Sequence, residues 1–196
     1  MKDERKLRTL LEENPIIASV NSDETLDIAV ASECGIVFVL YGNLCTIGSI
    51  VKKLKNAGKV VFVHADLLEG SSAKDVVVDF IHDVTQADGI ISAKNNLLRT
   101  ANSRDMYTIH RFFLVDSMSL SNITKQLQSS GADIVEIMPG YGPVGIQWVL
   151  RDLEAQEIDK PLIASGLVCS KEAIVNALSV GASAISTTCV DIWDRV

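Results

Sequence analysis

The chain has 196 residues, 47% of them apolar, and a formal net charge of −7. That length carries one substantial core, and that apolar fraction excludes a disordered chain. The acidic balance excludes broad electrostatic capture of nucleic acid or of an anionic membrane face, and no apolar run approaches the ~18 residues of a membrane span.

A single domain over residues 1–196 is expected. Cys34, Cys45, Cys169 and Cys189 lie far apart with no C-x-x-C pair, so they point to a reducing cytoplasm and to no metal or disulfide framework. The charged opening, Met1 to Lys6, precedes no signal-like apolar segment.

Leu7, Leu10 and Leu11 line one side of an opening helix that stops before Pro15. Strands are then expected at 16–20, 35–40, 59–64, 89–93, 108–114, 133–138, 162–164 and 183–186. Helices are expected at 22–31, 46–57, 72–85, 95–104, 117–129, 144–156 and 170–180. The strands are rich in Val, Ile and Phe without strict alternation, the mark of a parallel sheet buried on both faces. Eight strands separated by seven helices give a compact α/β barrel of the TIM (βα)8 type, with an N-terminal helix and a truncated last helix at 191–196. An open doubly wound sheet is the alternative, weakened because no G-x-G-x-x-G follows the first strand.

The last two strands end in small residues, Ala164-Ser165-Gly166 and Ile185-Ser186-Thr187. The intervening helix has Ser170 as its N-cap and Gly181 as its stop. In such barrels the ends of strands seven and eight commonly hold a phosphate, and small residues let backbone N–H groups and hydroxyls approach its oxygens. Ser165, Gly166, Ser186 and Thr187 are therefore the candidate phosphate clasp of a small phosphorylated ligand.

Further charged residues interrupt the strands. In His64-Ala65-Asp66 the period of two puts His64 and Asp66 on one side, as ligand contacts or as a loop cap and a satisfied core histidine. Arg111 and Glu136 sit inside apolar runs on strands expected to be neighbours, where a buried ion would be unfavourable unless paired. A structural ion pair is the first reading, and it disfavours Glu136 as a general base. Lys94 follows the fourth strand, as a ligand contact, a Schiff-base nucleophile or a solvated loop lysine. Asp116-Ser117 reads as a helix cap, and Met138-Pro139-Gly140-Tyr141-Gly142-Pro143 as a rigid turn at the same mouth. Basic residues cluster at Lys2, Arg5, Lys6 and Arg8 and at Lys52, Lys53, Lys55 and Lys59, with no interleaved aromatics to offer a stacking platform for RNA.

The blocks His64-Ala65-Asp66-Leu67, Asp88-Gly89-Ile90-Ile91-Ser92, Arg111 to Ser117, Glu136 to Gly140 and Ile163 to Val168 resemble, in order, the glycerol-uptake operon antiterminator family. The resemblance implies a compact TIM-type barrel that senses glycerol 3-phosphate. It also implies action, direct or through a partner, on the leader mRNA of glycerol-utilisation genes, so that transcription reads through a terminator. It puts the phosphate on Ser165, Gly166, Ser186 and Thr187, and the polyol among His64, Asp66, Lys94, Arg111 and Glu136. It implies no cofactor, no metal and no catalysis, and leaves a homo-oligomer open. Family members often carry a second glycine where this chain has Ser165. The competing function is an enzyme of lyase, isomerase or aldolase type on a small phosphorylated polyol or triose, with Asp66 or His64 as acid and base and Lys94 as electrophile or nucleophile.

Overall fold

The computed structural model describes residues 2–194; Met1, Arg195 and Val196 lie outside them. Eight parallel strands close in sequence order into a barrel: β1 (Ile16–Val20), β2 (Ile36–Val39), β3 (Val60–His64), β4 (Gly89–Ser92), β5 (Tyr107–Phe113), β6 (Ile134–Met138), β7 (Leu162–Ser165) and β8 (Ala184–Thr187), with β8 pairing back onto β1. All eight fall at the expected places. The helices are α1 (Glu4–Glu13), α2 (Asp23–Ala31), α3 (Ile47–Asn56), α4 (Val76–Val84), α5 (Asn95–Ser103), α6 (Ser117–Ser121), α7 (Ile123–Ser130), α8 (Pro143–Ala155) and α9 (Lys171–Ser179).

Two expected helices come out differently. The helix over 72–85 starts only at Val76, because Asn96 donates to the Ala73 carbonyl and to Asp75 and holds the preceding turn outside the helix. The helix over 117–129 is two, α6 and α7, divided at Asn122, whose side chain donates to the Met118 carbonyl. The Asp116 cap is present, as a capping box with Ser119. After β8 there is a short 3-10 turn, Val190–Ile192, and the expected truncated helix at 191–196 lies partly outside the described residues.

The strands bury both faces. Their outer faces pack against the helices, and their inner faces form a separate cluster of Ile17, Ile36, Phe38, Phe62, Ile91, Ile109, Ile134, Ile163 and Ala184. Leu7 and Leu11 of α1 join the inner cluster, so the opening helix seals the N-terminal end of the barrel. The interior is filled by complementary sizes: the Phe38 and Phe62 rings meet edge to face at 5.7 Å, and Gly89 leaves the space that the Phe62 ring occupies, 2.6 Å from where a Cβ would sit.

One period-two step further along six of the eight strands, the interior changes character. Ile17, Phe62, Ile109, Ile134, Ile163 and Ala184 are followed two residues later by Ser19, His64, Arg111, Glu136, Ser165 and Ser186, all buried. The barrel is thus apolar at its floor and polar towards its C-terminal mouth, where sites in this architecture are built.

Candidate functional site

Glu136 is the centre of the polar layer and is fully buried. It stands opposite Arg111 in the β5–β6 register, and the guanidinium grips it twice, from Nε at 2.6 Å and from Nη2 at 3.1 Å. The side-by-side ion pair expected from the sequence is present. The Ser165 hydroxyl donates to the same carboxylate at 2.5 Å, Ser186 lies 3.3 Å from it, and the two serine oxygens are 2.6 Å apart. A buried carboxylate with this many donors is satisfied, which is what makes its burial tolerable.

That network alters the expected clasp. Serine has one hydroxyl proton, and those of Ser165 and Ser186 are directed into the Glu136 cluster. The Thr187 hydroxyl donates to the Val168 carbonyl at 2.6 Å and accepts from the Cys189 N–H. The three hydroxyls shape the site and leave its donors to the backbone. Among the described residues the N–H groups of Leu167, Val168 and Thr188 have no protein acceptor among the turn and loop hydrogen bonds. Gly166 and Leu167 are both left-handed, at φ 77° and 59°, a conformation that is unfavourable for leucine and that turns this run of N–H groups out of the strand. A concave row of free amides suits an oxyanion.

These groups line a cavity of about 120 Å³ together with Ser19, Arg111, Met138 and Thr188. Arg111 therefore belongs at the clasp; its Nη1 has no protein partner among the described residues. His64 is buried beside the ion pair with Nδ1 unpartnered. Burial first, and the Arg111 charge second, push its pKa down to about 4 against the opposing pull of Glu136 and Asp66, so it is a neutral ring near pH 7.

Asp66 and Lys94 stand on the same rim but outside this cavity. Asp66 accepts from the Ser92 hydroxyl at 2.9 Å and the Ala93 N–H at 2.8 Å, which ties the end of β3 to the β4 turn. Lys94 reaches Asp66 at 3.5 Å with its side chain 44% exposed. The structure thus brings Ser165, Gly166, Ser186, Thr187 and Arg111 around one cavity, sets Glu136 and His64 with them, and leaves Asp66 and Lys94 as a neighbouring staple.

Ser19 was not among the expected residues, although it shares their signal, a polar residue on the inward period of an apolar run. The turn after β6 also builds the site: the Gly140 N–H donates to the Ser165 and Gly166 carbonyls, and a Cβ at Gly140 would lie 2.4 Å from the Ser165 nitrogen. Only glycine permits that approach.

The cysteine expectation is corrected. Cys169 and Cys189 form a disulfide with their Cα atoms 5.5 Å apart, joining the segments after β7 and β8 beside the cavity. Residues 20 apart in sequence meet because β7 and β8 are adjacent and parallel. The basic clusters are dispersed by acidic partners: Lys2 pairs with Asp133, Arg8 with Asp159, Lys53 with Asp27 and Lys55 with Asp88. Among the described residues no group of three or more His, Cys, Asp or Glu side chains is placed to hold a metal ion, and no helix is long and apolar enough to cross a membrane.

Comparison with known proteins agrees with this architecture. The chain is 50% identical over 184 residues to the uncharacterized protein YgcP of Escherichia coli K12, with 94% of each chain covered. It superposes with a TM-score of 0.82 on the glycerol uptake operon antiterminator regulatory protein of Listeria monocytogenes, at 27% identity over 88% of this chain and 91% of that one. A glycerol uptake operon antiterminator-related protein of Thermotoga maritima superposes at 0.78 and 28% identity, over 92% and 98% of the two chains. A deoxyribose phosphate aldolase of Aeropyrum pernix, at 15% identity over 98% of this chain and 97% of that one and a TM-score of 0.70, shares the fold alone. The model of the glycerol-3-phosphate responsive antiterminators matches residues 16–193, and the chain belongs to that family.

Proposed function

We propose that this protein senses glycerol 3-phosphate at the barrel mouth and, with ligand bound, acts on leader mRNA of glycerol-utilisation genes to let transcription pass a terminator. The observation that carries the ligand assignment is Arg111: a buried guanidinium with one nitrogen free, opening onto a small cavity beside a run of unpartnered backbone N–H groups. Charge-assisted and backbone donors converging on one point fit a phosphate dianion. The neutral His64 ring and the hydroxyl oxygens of Ser19, Ser165 and Ser186 would then face the polyol end, where acceptors and weak donors match alcohols. Asp66 and Lys94 belong to the wall that supports it.

An enzymatic reading finds less support. A Schiff-base lysine is activated by desolvation or by a second cation, whereas Lys94 is solvated and its near neighbour is the Asp66 carboxylate. Both Glu136 oxygens already accept hydrogen bonds, Oε2 from Arg111 and Oε1 from Arg111 and the two serines.

Isothermal titration with glycerol 3-phosphate, glycerol and inorganic phosphate tests the assignment. Expected is tight binding of the first, weak binding of phosphate and none of glycerol, with Arg111→Met losing about tenfold or more. Equal affinity of Arg111→Met and wild type would remove Arg111 from the site.

A further inference from the structure

A cavity larger than the ligand site lies apart from it. A groove of about 680 Å³ runs between the turn after β5 and helix α8, floored by Leu114, Leu120 and Pro139 and walled by Val115, Tyr141 and Trp148. Its surroundings are unusually apolar. Of the 13 large hydrophobic side chains exposed on the described chain, six lie in the two segments that form it: Phe113, Val115, Met118, Tyr141, Val144 and Trp148. Val115 is 80% and Met118 70% exposed, and the other four are about half exposed.

We propose that this face is where two copies of the chain associate. The area supports it. Three half-exposed aromatics and three exposed aliphatics present on the order of 500 Å² of apolar surface, towards the upper end of what a monomer leaves open. Interfaces are about 60% apolar, so this patch implies about 800 Å² per partner with its rim, the size of a standard specific interface. The shape supports it too: a groove, with Val115 projecting from its wall and Met118 exposed on the adjoining helix α6, places a recess and a ridge on one patch, the self-complementarity that a two-fold contact needs.

Charge selects the occupant. The groove's charged residues are Asp116, Arg151 and Asp152. One cation flanked by two carboxylates repels a polyphosphate strand, so the exposed Tyr141 and Trp148 are poorly set for stacking on RNA. Against a second copy the same rim can oppose unlike charges, Arg151 of one chain to Asp116 or Asp152 of the other. The inference rests on this face alone and does not depend on the ligand assignment.

Sedimentation velocity across the micromolar range is the test. Wild type is expected to be dimeric. Val115→Asp with Trp148→Glu is expected to be monomeric, with at least about tenfold weaker association and an unchanged far-UV spectrum. Ile28→Glu, an exposed apolar residue on α2, serves as the control and is expected to stay dimeric. A monomeric wild type, or a dimer that survives the double substitution, would overturn the proposal. So would a monomer whose binding to leader RNA is lost on the same substitutions, which would make the face an RNA platform.

Discussion

Replacing Glu136 with Leu removes the acceptor on which the polar layer converges. Arg111 then keeps its charge at 7% exposure with no partner, and Ser165 and Ser186 keep only each other. Stranding one member of a buried ion pair costs about 3–5 kcal/mol, and a hydroxyl left without its acceptor adds about 1 kcal/mol. Because Arg111 lines an open cavity, water reaches its free edge and recovers part of this, so the net loss is expected to be about 3–4 kcal/mol. With a urea dependence of about 2 kcal/mol per molar, the denaturation midpoint falls by roughly 2 M. Removing both charges, Arg111→Met with Glu136→Leu, leaves nothing stranded and is expected to return to within about 1 kcal/mol of wild type. The cycle across the four proteins isolates the coupling. A single variant that unfolds near the wild-type midpoint, or a double variant as unstable as the sum of the two singles, would refute the account.

Three further outcomes follow from other parts of the mouth and wall. His64 and His110 are buried neutral, both pushed down to about 4 chiefly by burial, while the unfolded chain titrates near the ordinary 6.5. Between those values the unfolded state binds the more protons, so stability is complete above about pH 6.5 and falls towards pH 4, by up to about 3 kcal/mol per histidine; urea midpoints against pH check it, and His110→Gln is expected to flatten the slope. Gly166→Ala forces a Cβ to within 2.8 Å of the Met138 Cε at φ 77° and is expected to cost about 1–2 kcal/mol, read by thermal unfolding, and to weaken phosphate-ligand binding in calorimetry. Breaking the Cys169–Cys189 cross-link, which spans 20 residues, is expected to cost about 3 kcal/mol; Cys189→Ser and reduced wild type should then share one urea midpoint, below that of oxidised wild type.

The strand count, the Arg111–Glu136 pair and the mouth position of Ser165, Gly166, Ser186 and Thr187 were legible because each depends on period-two alternation and neighbouring order. A charge in an apolar strand announces itself, since its burial demands a partner. Ser19 carries the same pattern more quietly: a small hydroxyl is far less unfavourable to bury, and the run Ile16 to Val20 reads as apolar throughout. What a hydroxyl does there is a matter of tertiary distance. Nothing local indicates that the protons of Ser165 and Ser186 turn inward to Glu136, or that Thr187 turns to Val168. The apolar groove was hidden for the same reason: Val115 looks like a loop residue until the fold sets it in one groove with Trp148.

A sensor needs more than a pocket, because a ligand shifts only an equilibrium whose two states it binds unequally. The turn after β6 is placed to connect such states. Met138 faces the ligand cavity, Pro139 the apolar groove, and Gly140 is hydrogen-bonded to the Ser165–Gly166 backbone that would cradle a phosphate. Three consecutive residues thus join cavity, clasp and groove, and Gly140 packs so closely on β7 that a Cβ there would lie 2.4 Å from the Ser165 nitrogen. A phosphate held by the Leu167 and Val168 amides would act on this turn through the Gly140 hydrogen bonds, and the groove wall at Tyr141 follows Gly140 in the chain. If two copies meet on that wall, ligand affinity and self-association are linked by one free energy, and each must change the other by the same factor.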